Sequence, residues 1–314
     1  MDGIIIINKS SGLSSSRVGH KVKKMLDLKK VGHLGTLDPM ATGVLPLCVN
    51  EGTKLAQFLS EADKEYVATL KLGIETDTQD SEGNVLRRTD KIPTDCDAIR
   101  SVIQDFKGEI FQTPPMYSAL KHKGVPLYKL ARKGESVPRQ ERRVFVYDIE
   151  VLEVDIPYVT FRLVCSGGTY VRTICHDVGQ KLFCGAHMTS LKRTRSGPFH
   201  INQALEVEDI EGFSCKRAVE EYLVSPKDAL IRLAEVIVSE ELVDKVKNGV
   251  QITAEDVFEM ELPDFKAGQK IKIISPGGFL VGVVDSLVDK EVLLSEGNPE
   301  DKVFKSLRVF SVGN

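Results

Sequence analysis

The pattern of apolar and polar residues along this chain predicts many short strands and a smaller number of helices. Ile4 to Ile7 form an uninterrupted apolar run that is typical of a buried strand. Ser14 or Ser15 can then cap a helix that ends near Leu28 and keeps its apolar residues on one face. Further strands are predicted at 44–49, 65–72, 85–86, 143–154, 158–165 and 188–195, and further helices at 53–59, 94–106, 127–133, 169–182 and 216–223.

Two of these features set the fold class. The runs at 143–154 and 158–165 are long enough to be neighbouring antiparallel strands of a mixed sheet. Thr94, with Asp97 three residues later, resembles a capping box that opens the helix at 94–106. Many strands with scattered helices indicate the α+β class, with a mixed, largely antiparallel central sheet and flanking helices.

The pattern changes after residue 232. Short strands are predicted at 236–238, 270–274, 279–284 and 292–294, with turns at Asn248-Gly249 and at Pro276-Gly277-Gly278. A chain of 314 residues also suggests about two domains. We therefore predict one domain at 1–232 and a small β-barrel at 233–314.

Composition narrows the class of protein. The apolar fraction of 42% and the charged fraction of 28% are those of a soluble globular protein, and no apolar run approaches the roughly 20 residues of a membrane span. The N-terminus lacks the basic region of a secretion signal, so we expect a cytoplasmic protein. The six cysteines form no CxxC pair and are expected to be free thiols; Cys184-x-x-His187 lacks a second half, so no metal site is expected.

Positive charge is concentrated in part of the chain, although the net charge is −3. Such clusters are often solvated helix faces, but three of them near one another suit a phosphate-facing surface. The longest group lies in a segment around 108–143 that we expect to be an insertion that binds a phosphate-bearing partner. The clusters are Lys121, Lys123, Lys129, Arg132, Lys133, Arg139, Arg142 and Arg143; Lys21, Lys23, Lys24, Lys29 and Lys30; and Lys192, Arg193 and Arg195.

A glycine-rich loop at 32–48 carries a single carboxylate, Asp38. Gly32, Gly35 and Gly43 permit close approaches of the backbone, and Pro39 restricts both itself and Asp38. An Asp-Pro step between glycines is, by itself, typical of a plain turn.

Read with its flanks, this loop resembles the signature of the tRNA pseudouridine synthase B family. The family's other blocks follow in the same order and span most of residues 1–200. They are Asp63-Lys64-Glu65-Tyr66, Pro115-Met116-Tyr117-Ser118-Ala119-Leu120-Lys121, Gly168-Thr169-Tyr170-Val171-Arg172-Thr173 and Cys184-Gly185-Ala186-His187. The chain departs from the family at Ser10, where a proline usually follows the lysine.

The resemblance implies a pseudouridine synthase fold at 1–232 and a PUA-like RNA-binding barrel at 233–314, with a structural cap as the alternative for the barrel. It implies a catalytic Asp38, held ionised and oriented by Arg172, and a Tyr66 that faces the uracil and can accept the C5 proton. Tyr170 and Leu191 would line the pocket, His33 would take part in extruding the base, and Lys9, Arg142 and Arg143 would contact the substrate RNA. No cofactor is expected, because the reaction oxidises nothing.

The function that the resemblance implies is the isomerisation of uridine 55 in the T loop of tRNA. The sequence leaves the oligomeric state open, and a monomer is the default expectation. Whether Asp38 attacks the uracil ring, attacks the sugar or removes a sugar proton stays open. Two alternatives also remain. One is a guide-RNA-dependent pseudouridine synthase that works inside a ribonucleoprotein, and the other is a non-catalytic tRNA-binding or folding factor.

Overall fold

The protein is described here by a computed structural model, which covers residues 1–212 and 216–311. In chain order the strands are β1 (Gly3–Lys9), β2 (Val31–His33), β3 (Thr42–Val49), β4 (Lys64–Leu72), β5 (Ile74–Thr76), β6 (Val85–Arg88), β7 (Gly108–Gln112), β8 (Lys121–His122), β9 (Val125–Pro126), β10 (Arg142–Asp155), β11 (Tyr158–Cys165), β12 (Ala186–Ser196), β13 (Phe199–His200), β14 (Leu223–Val224), β15 (Ala234–Ile237), β16 (Ile252–Thr253), β17 (Lys270–Ile274), β18 (Leu280–Ser286) and β19 (Lys302–Val309). The α-helices are α1 (Ser15–Met25), α2 (Ala56–Leu59), α3 (Cys96–Gln104), α4 (Leu127–Ala131), α5 (Val171–Lys181), α6 (Val207–Gly212), α7 (Lys216–Glu220), α8 (Pro226–Ala229), α9 (Glu240–Lys247) and α10 (Lys290–Glu296), and short 3-10 helices lie at Asn50–Leu55 and Ile201–Gln203.

A ten-stranded mixed sheet forms the centre of the molecule. Its main path runs β14-β1-β3-β12-β4-β11-β10-β7, with β2 paired to β3 and β13 paired to β12. β12 runs parallel to β3, whereas the pairs made by β1, β4, β10 and β11 along this path are antiparallel. The predicted mixed, largely antiparallel sheet of an α+β protein is therefore confirmed.

One face of this sheet is buried under helices. Along β4 the side chains alternate between buried and half-buried, and the buried set from Tyr66 to Leu72 joins the core with residues of α1, α3 and α5. Two of the three helices begin with a side-chain cap: the Ser14 hydroxyl caps α1, and Asp95 caps α3 by accepting from two backbone N–H groups. Tyr170 is the N-cap residue of α5, so the helix begins where the sheet's inner face meets the loop of Asp38.

The C-terminal residues form a second sheet, of five strands in the order β15-β17-β18-β19-β16. It has its own core, in which Leu242 and Val246 of α9 pack on strand residues such as Ile271, Ile273 and Val284. A shared cluster joins this unit to the back of β1 and β3. Its members include Ile4, Ile6, Val44, Cys48, Ile274, Leu280, Val283 and Phe310.

Polar contacts reinforce this junction. Lys54 donates to the carbonyl of Val309 at 3.0 Å, and its ammonium lies 5.8 Å from the ring centroid of Phe310. The backbone N–H of Ser311 donates to the Glu51 carboxylate at 2.9 Å. The C-terminal unit is thus fixed to the central sheet through both apolar and charged groups.

Several sequence expectations need correction. The strand predicted at 292–294 is wrong, because these residues lie in α10, where Leu293 is buried and Val292 and Leu294 are exposed. The cap of α3 is Asp95 instead of Thr94. α9 and β19 were not predicted, and the predicted helix at 216–223 ends at Glu220 before the chain forms β14.

The expected insertion is shorter than predicted, because 108–112 forms the edge strand β7 of the central sheet. The part that leaves the sheet is 113–141, which contains the small β8–β9 hairpin and α4. Cys48, Cys96, Cys165, Cys175 and Cys184 are free thiols, as predicted, and the prediction for Cys215 lies outside the described residues. Within the described ranges, no helix is both long and apolar enough to span a membrane.

The junction between the two units can be tested by truncating Phe310, which is only 2% exposed. We expect Phe310→Ala to lower the free energy of unfolding by about 3–5 kcal/mol, because a large buried aromatic is lost and a cavity remains. Urea denaturation followed by circular dichroism measures this change. Phe279→Ala is the matched control, since Phe279 is 56% exposed and its loss should cost no more than about 0.5 kcal/mol. Equal effects of the two substitutions would contradict the buried junction.

Candidate active site

The loop between β2 and β3 is held rigid by polar groups beneath it. Lys9 is completely buried, and its ammonium donates to the carbonyls of Ser10, Leu13 and Pro39 at 2.9, 2.7 and 3.0 Å. The Ser15 hydroxyl accepts from the N–H of Leu37 at 2.8 Å and donates to its carbonyl at 3.0 Å. These contacts fix the backbone on both sides of Asp38, so the carboxylate has a defined position before any ligand binds.

Gly43, at the end of this loop, is required by a close approach. Its φ is +98°, and a Cβ at this position would lie 2.2 Å from the carbonyl oxygen of Arg193. Gly43 and Arg193 are register partners in the parallel pairing of β3 with β12. The glycine therefore lets the loop enter the sheet directly against β12.

Arg172 lies between two carboxylates. Its Nη2 is 3.4 Å from Oδ2 of Asp38, and its Nη1 is 3.4 Å from Oδ2 of Asp80. Nη2 also donates to the carbonyl of Tyr117 at 2.7 Å. The side chains of Arg172 and Asp80 are 6% and 4% exposed, whereas that of Asp38 is 32% exposed. Asp38 is thus the carboxylate of this group that an incoming molecule can reach.

Burial raises the pKa of Asp38 above its ordinary value. The positive charge of Arg172 opposes this rise, the negative charge of Asp80 adds to it, and Lys9 opposes it more weakly. Arg172 contacts Asp38, as expected, but burial outweighs the guanidinium in setting the direction of the pKa shift.

Tyr66 projects from β4 onto the buried face of the sheet and is 8% exposed. Its cross-strand neighbours are Leu163 on β11 and Arg193 on β12. Burial raises the pKa of the Tyr66 hydroxyl, and the Arg193 guanidinium opposes that rise. The charge of Asp38 also acts on this hydroxyl, so Tyr66 and Asp38 belong to one electrostatic group.

Tyr170 and Leu191 lie at the same end of the sheet. The backbone of Tyr170 is held by Gln112, which donates to its carbonyl at 3.1 Å and accepts from its N–H at 2.9 Å. The guanidinium carbon of Arg172 lies 5.9 Å from the Tyr170 ring centroid. Leu191 is 7% exposed, and the Thr42 hydroxyl donates to its carbonyl at 3.5 Å.

His33 ends β2 and is half-buried. Burial lowers its pKa, with a smaller contribution from the charge of Arg193, so the imidazole is favoured in its neutral form. Its buried Nδ1 has no hydrogen-bond partner among the described residues. A neutral aromatic ring can stack on a nucleobase.

The predicted RNA contacts divide into exposed and buried cations. Arg142 and Arg143 are exposed at the start of β10, where Arg143 forms a 3.4 Å ion pair with Glu109. The expected contact of Lys9 with RNA is not supported, because its ammonium is buried under the loop and bound to three carbonyls. Arg193, expected on a phosphate-facing surface, is 1% exposed. Burial removes both side chains from any surface that RNA could touch.

Several residues of the site were missed from the sequence. Asp80 lies in the turn between β5 and β6, and no motif in the sequence indicated it as a site residue. The Thr78 hydroxyl donates to its carboxylate at 2.5 Å and the N–H of Glu82 at 3.0 Å. Lys64, quoted only as part of a motif, is buried beside Arg193, and burial lowers its pKa to about 8. Across the described ranges, no cluster of three or more His, Cys, Asp and Glu side chains could hold a metal ion.

Two family models identify the chain as an enzyme of the pseudouridine synthase class. The model of the TruB family pseudouridylate synthase N-terminal domain matches residues 23–171, and the model of the tRNA pseudouridylate synthase B C-terminal domain matches residues 172–239. A protein of Syntrophus aciditrophicus named tRNA pseudouridine synthase B is 43% identical over 314 residues, which cover 99% of each chain. A protein of the same name from Geobacter sulfurreducens is 43% identical over 311 residues, covering 99% of this chain and 100% of its own. The chain belongs to the TruB family of pseudouridylate synthases.

Two solved structures share the fold of this chain. A chain in the crystal structure of a Cbf5-Nop10-Gar1 complex superposes with a TM-score of 0.75 at 29% identity, covering 98% of this chain and 85% of that one. A chain in the structure of an H/ACA RNP bound to a substrate RNA containing 2'-deoxyuridine gives a TM-score of 0.74 at 28% identity, covering 99% and 85%. The structural similarity to these two chains includes both the ten-stranded central sheet and the five-stranded C-terminal sheet.

The electrostatic group around Asp38 yields a prediction that needs no substrate. We expect the pKa of Asp38 to lie above that of an ordinary aspartate, and Asp80→Asn to lower it, because a neighbouring negative charge is removed. NMR titration of 13C-labelled aspartate carboxyls measures this pKa, and Asp38→Asn assigns the signal. Asp77→Asn is the control, since the Asp77 carboxylate bonds Asn84 in the same turn and faces away from the group. A higher Asp38 pKa in Asp80→Asn would contradict the arrangement.

Proposed function

We propose that this protein isomerises uridine to pseudouridine in tRNA, at uridine 55 of the T loop, as a stand-alone enzyme. The observation that carries the proposal is the partly exposed Asp38 carboxylate held at 3.4 Å by the buried Arg172, within the electrostatic reach of Tyr66. Membership of the family and the names of the full-length relatives support tRNA as the substrate. The T-loop position follows from the family resemblance.

In the proposed reaction, the bond between N1 of uracil and C1′ of ribose breaks, and a bond between C5 and C1′ forms. Asp38 is the reacting carboxylate, whether it attacks the uracil ring, attacks the sugar or removes a sugar proton, and each role needs it ionised. Tyr66 accepts the proton that leaves C5, while N1 gains a proton, so the product is an isomer of the substrate. No cofactor is needed, because nothing is oxidised.

The uridine has to leave its base stack before Asp38 can reach it. Tyr170 and Leu191 lie beside the Asp38–Tyr66 group and form the walls that hold the extruded base. His33 is proposed to stack in the space that the uridine vacates, which its neutral, half-buried ring suits. Lys9 acts through the loop that it supports, as a positioning residue.

The segment 113–141 is proposed to hold the T arm. Lys121, Lys123, Lys129, Arg132 and Lys133 are exposed there, and Arg142 and Arg143 continue the surface onto β10. Burial raises the pKa of the Tyr170 hydroxyl, and the positive charges of Arg172 and, to a smaller extent, Arg142 oppose that rise. The presence of a basic, RNA-holding segment within the chain itself favours a stand-alone enzyme over a guide-dependent one.

The remaining assignments belong to the same proposal. Residues 1–232 are the catalytic domain, and 233–314 are a PUA-like module. Its 15 acidic residues outnumber its 9 basic residues, so any contact it makes with RNA is confined to a local surface. The enzyme is proposed to be a cytoplasmic monomer that uses no metal ion.

Substitution of the reacting carboxylate tests the function directly. On a bare tRNA transcript containing uridine labelled with tritium at C5, wild type should release tritium, and Asp38→Asn should reduce the rate at least about 1,000-fold while tRNA binding persists. No guide RNA or partner protein is added, so activity also separates the stand-alone enzyme from the guide-dependent one. Asp90→Asn, at an exposed position outside the site, is the control and should keep full activity. Normal turnover by Asp38→Asn would refute the catalytic assignment, and a wild type that binds without turnover would favour a tRNA-folding factor.

Neutralising two exposed cations tests the RNA-binding surface. We expect Arg142→Gln/Arg143→Gln to weaken tRNA binding and to reduce the slope of log affinity against log salt by about 0.7–0.9 for each lost phosphate contact. Filter binding at several salt concentrations measures the slope. Lys302→Gln/Lys305→Gln removes the same charge from exposed positions of the C-terminal sheet. An unchanged slope in the arginine variant would remove these residues from the RNA-binding surface.

A further inference from the structure

Arg193 is the largest fully buried side chain of the protein that carries a charge, at 1% exposure. Its Nε donates to the carbonyl of Val44 at 2.7 Å, and its Nη2 donates to the carbonyl of Gly35 at 3.1 Å. These two carbonyls lie on either side of Asp38 in the sequence, Gly35 in the loop between β2 and β3 and Val44 near the start of β3. Within 1–212 and 216–311, no carboxylate makes an ion pair with this guanidinium. Burying a cation without a contacting anion is costly, so the position calls for a reason beyond packing.

The cross-strand neighbour of Arg193 supplies that reason. β12 and β4 place Arg193 directly opposite Tyr66, so the two side chains lie side by side on the inner face of the sheet. Burial raises the pKa of the Tyr66 hydroxyl, and the positive charge of Arg193 opposes that rise. The other groups that act on this hydroxyl are Cys165 from β11 and Asp38 from the loop, and both raise the pKa. Arg193 is thus the group that favours the ionised form of Tyr66.

The buried charges around the loop are predominantly positive. Lys9, Lys64, Arg172 and Arg193 are all buried, and the carboxylates that face them in the site are Asp38 and Asp80. When the N1–C1′ bond breaks, its electron pair leaves with the uracil, and the proton removed from C5 later passes to a base. The first event places negative charge on the uracil, where preorganised positive charge stabilises it, and the second moves a proton within the site without changing its net charge.

We propose that Arg193 is a positioning residue of the active site, whose guanidinium joins both sides of the Asp38 loop and holds the Tyr66 hydroxyl ready to accept the proton from uracil C5. The inference rests on the proposed isomerisation, because it gives Tyr66 its role in that reaction. The hydrogen bonds around Arg193 hold its guanidinium where it cannot contact the RNA backbone. The proposal gives this buried cation a function. Arg193 acts through the loop and through Tyr66 and does not touch the substrate.

The test compares Arg193→Gln with wild type in two measurements. NMR titration of 13Cζ-labelled tyrosine, with Tyr66→Phe to assign the signal among the seven tyrosines, reports the pKa of Tyr66 without substrate. Tritium release from tRNA between pH 6 and 10 reports kcat and KM. We expect Arg193→Gln to raise the pKa of Tyr66 and to lower kcat about tenfold for each unit of that rise, because less phenolate is present at a given pH. KM should change less than about twofold, since the side chain is buried.

Arg162→Gln is the matched control, since it removes the same charge from β11 on the opposite face of the sheet, where Arg162 pairs with Glu65 and Asp148. It should leave the Tyr66 titration unchanged. If Arg193→Gln does not fold, Arg193→Lys is measured in its place, because it keeps the positive charge. A pH profile of kcat like that of wild type supports the proposal. A profile displaced to higher pH overturns it. An unchanged Tyr66 titration in folded Arg193→Gln also overturns it. A wild type that makes no pseudouridine would instead refute the proposed function, while the titration would still report on Arg193.

Discussion

Arg172 binds two carboxylates that would otherwise repel each other at one end of the sheet. Asp80 and Arg172 are almost fully buried, and in such a place the cost of removing charges from water has to be offset by close, well-aligned contacts. The carbonyl of Tyr117 and the hydroxyl of Thr78 provide further hydrogen bonds to this group. The result is a guanidinium that cannot move away from Asp38 without leaving Asp80 unpaired, so the accessible carboxylate is presented in one orientation.

The loop that carries Asp38 is fixed in the same manner, by cations whose acceptors are backbone carbonyls. Lys9 holds the Pro39 side of the loop, and Arg193 holds Gly35 and Val44. Each buried carbonyl needs a donor, and the loop has few of its own because it belongs to no regular element. The two side chains therefore provide hydrogen bonds that a strand would have obtained from its neighbours. A loop held in this way keeps its geometry when the substrate arrives, which is what catalysis by a positioned carboxylate requires.

Much of the fold was predictable from the sequence, and the limits have physical causes. The long strands at 143–154 and 158–165 were recognisable because each alternates over many residues, whereas β19 was missed because exposed Lys302, Lys305 and Arg308 conceal its buried positions. The apolar triplet at 292–294 has too few residues to distinguish a strand from a helix.

For the site, as for the fold, some features could be predicted from the sequence and others could not. Asp38, Tyr66 and Arg172 were predicted from motifs, and the structure brings them into one electrostatic group. The burial of Lys9 and Arg193 could not be predicted, because a basic residue looks the same in a sequence whether it faces water or a distant carbonyl. Lys9 binds the carbonyl of Pro39, which is 30 positions away along the chain, and Arg193 binds the carbonyl of Gly35, which is 158 positions away. These distant partners decide whether the basic side chain is buried. Asp80 was missed for a related reason, since only the folded β5–β6 turn brings it to Arg172.

The distribution of charge extends this reasoning from the site to the whole molecule. Residues 1–232 contain 33 Lys and Arg against 30 Asp and Glu, and residues 233–314 contain 9 against 15. Several of the cations in the first part are buried around the Asp38 loop, so the surface that can attract a polyanion is narrower than the count suggests, and it is concentrated on 113–141 and the start of β10. An RNA approaching the protein is therefore attracted to the segment beside the pocket and repelled by much of the C-terminal sheet. Because that sheet is fixed to β1 and β3 by a shared apolar cluster, its negative charge stays in a constant position relative to the site. The acidic unit can thus restrict the orientations in which RNA docks without making contacts of its own.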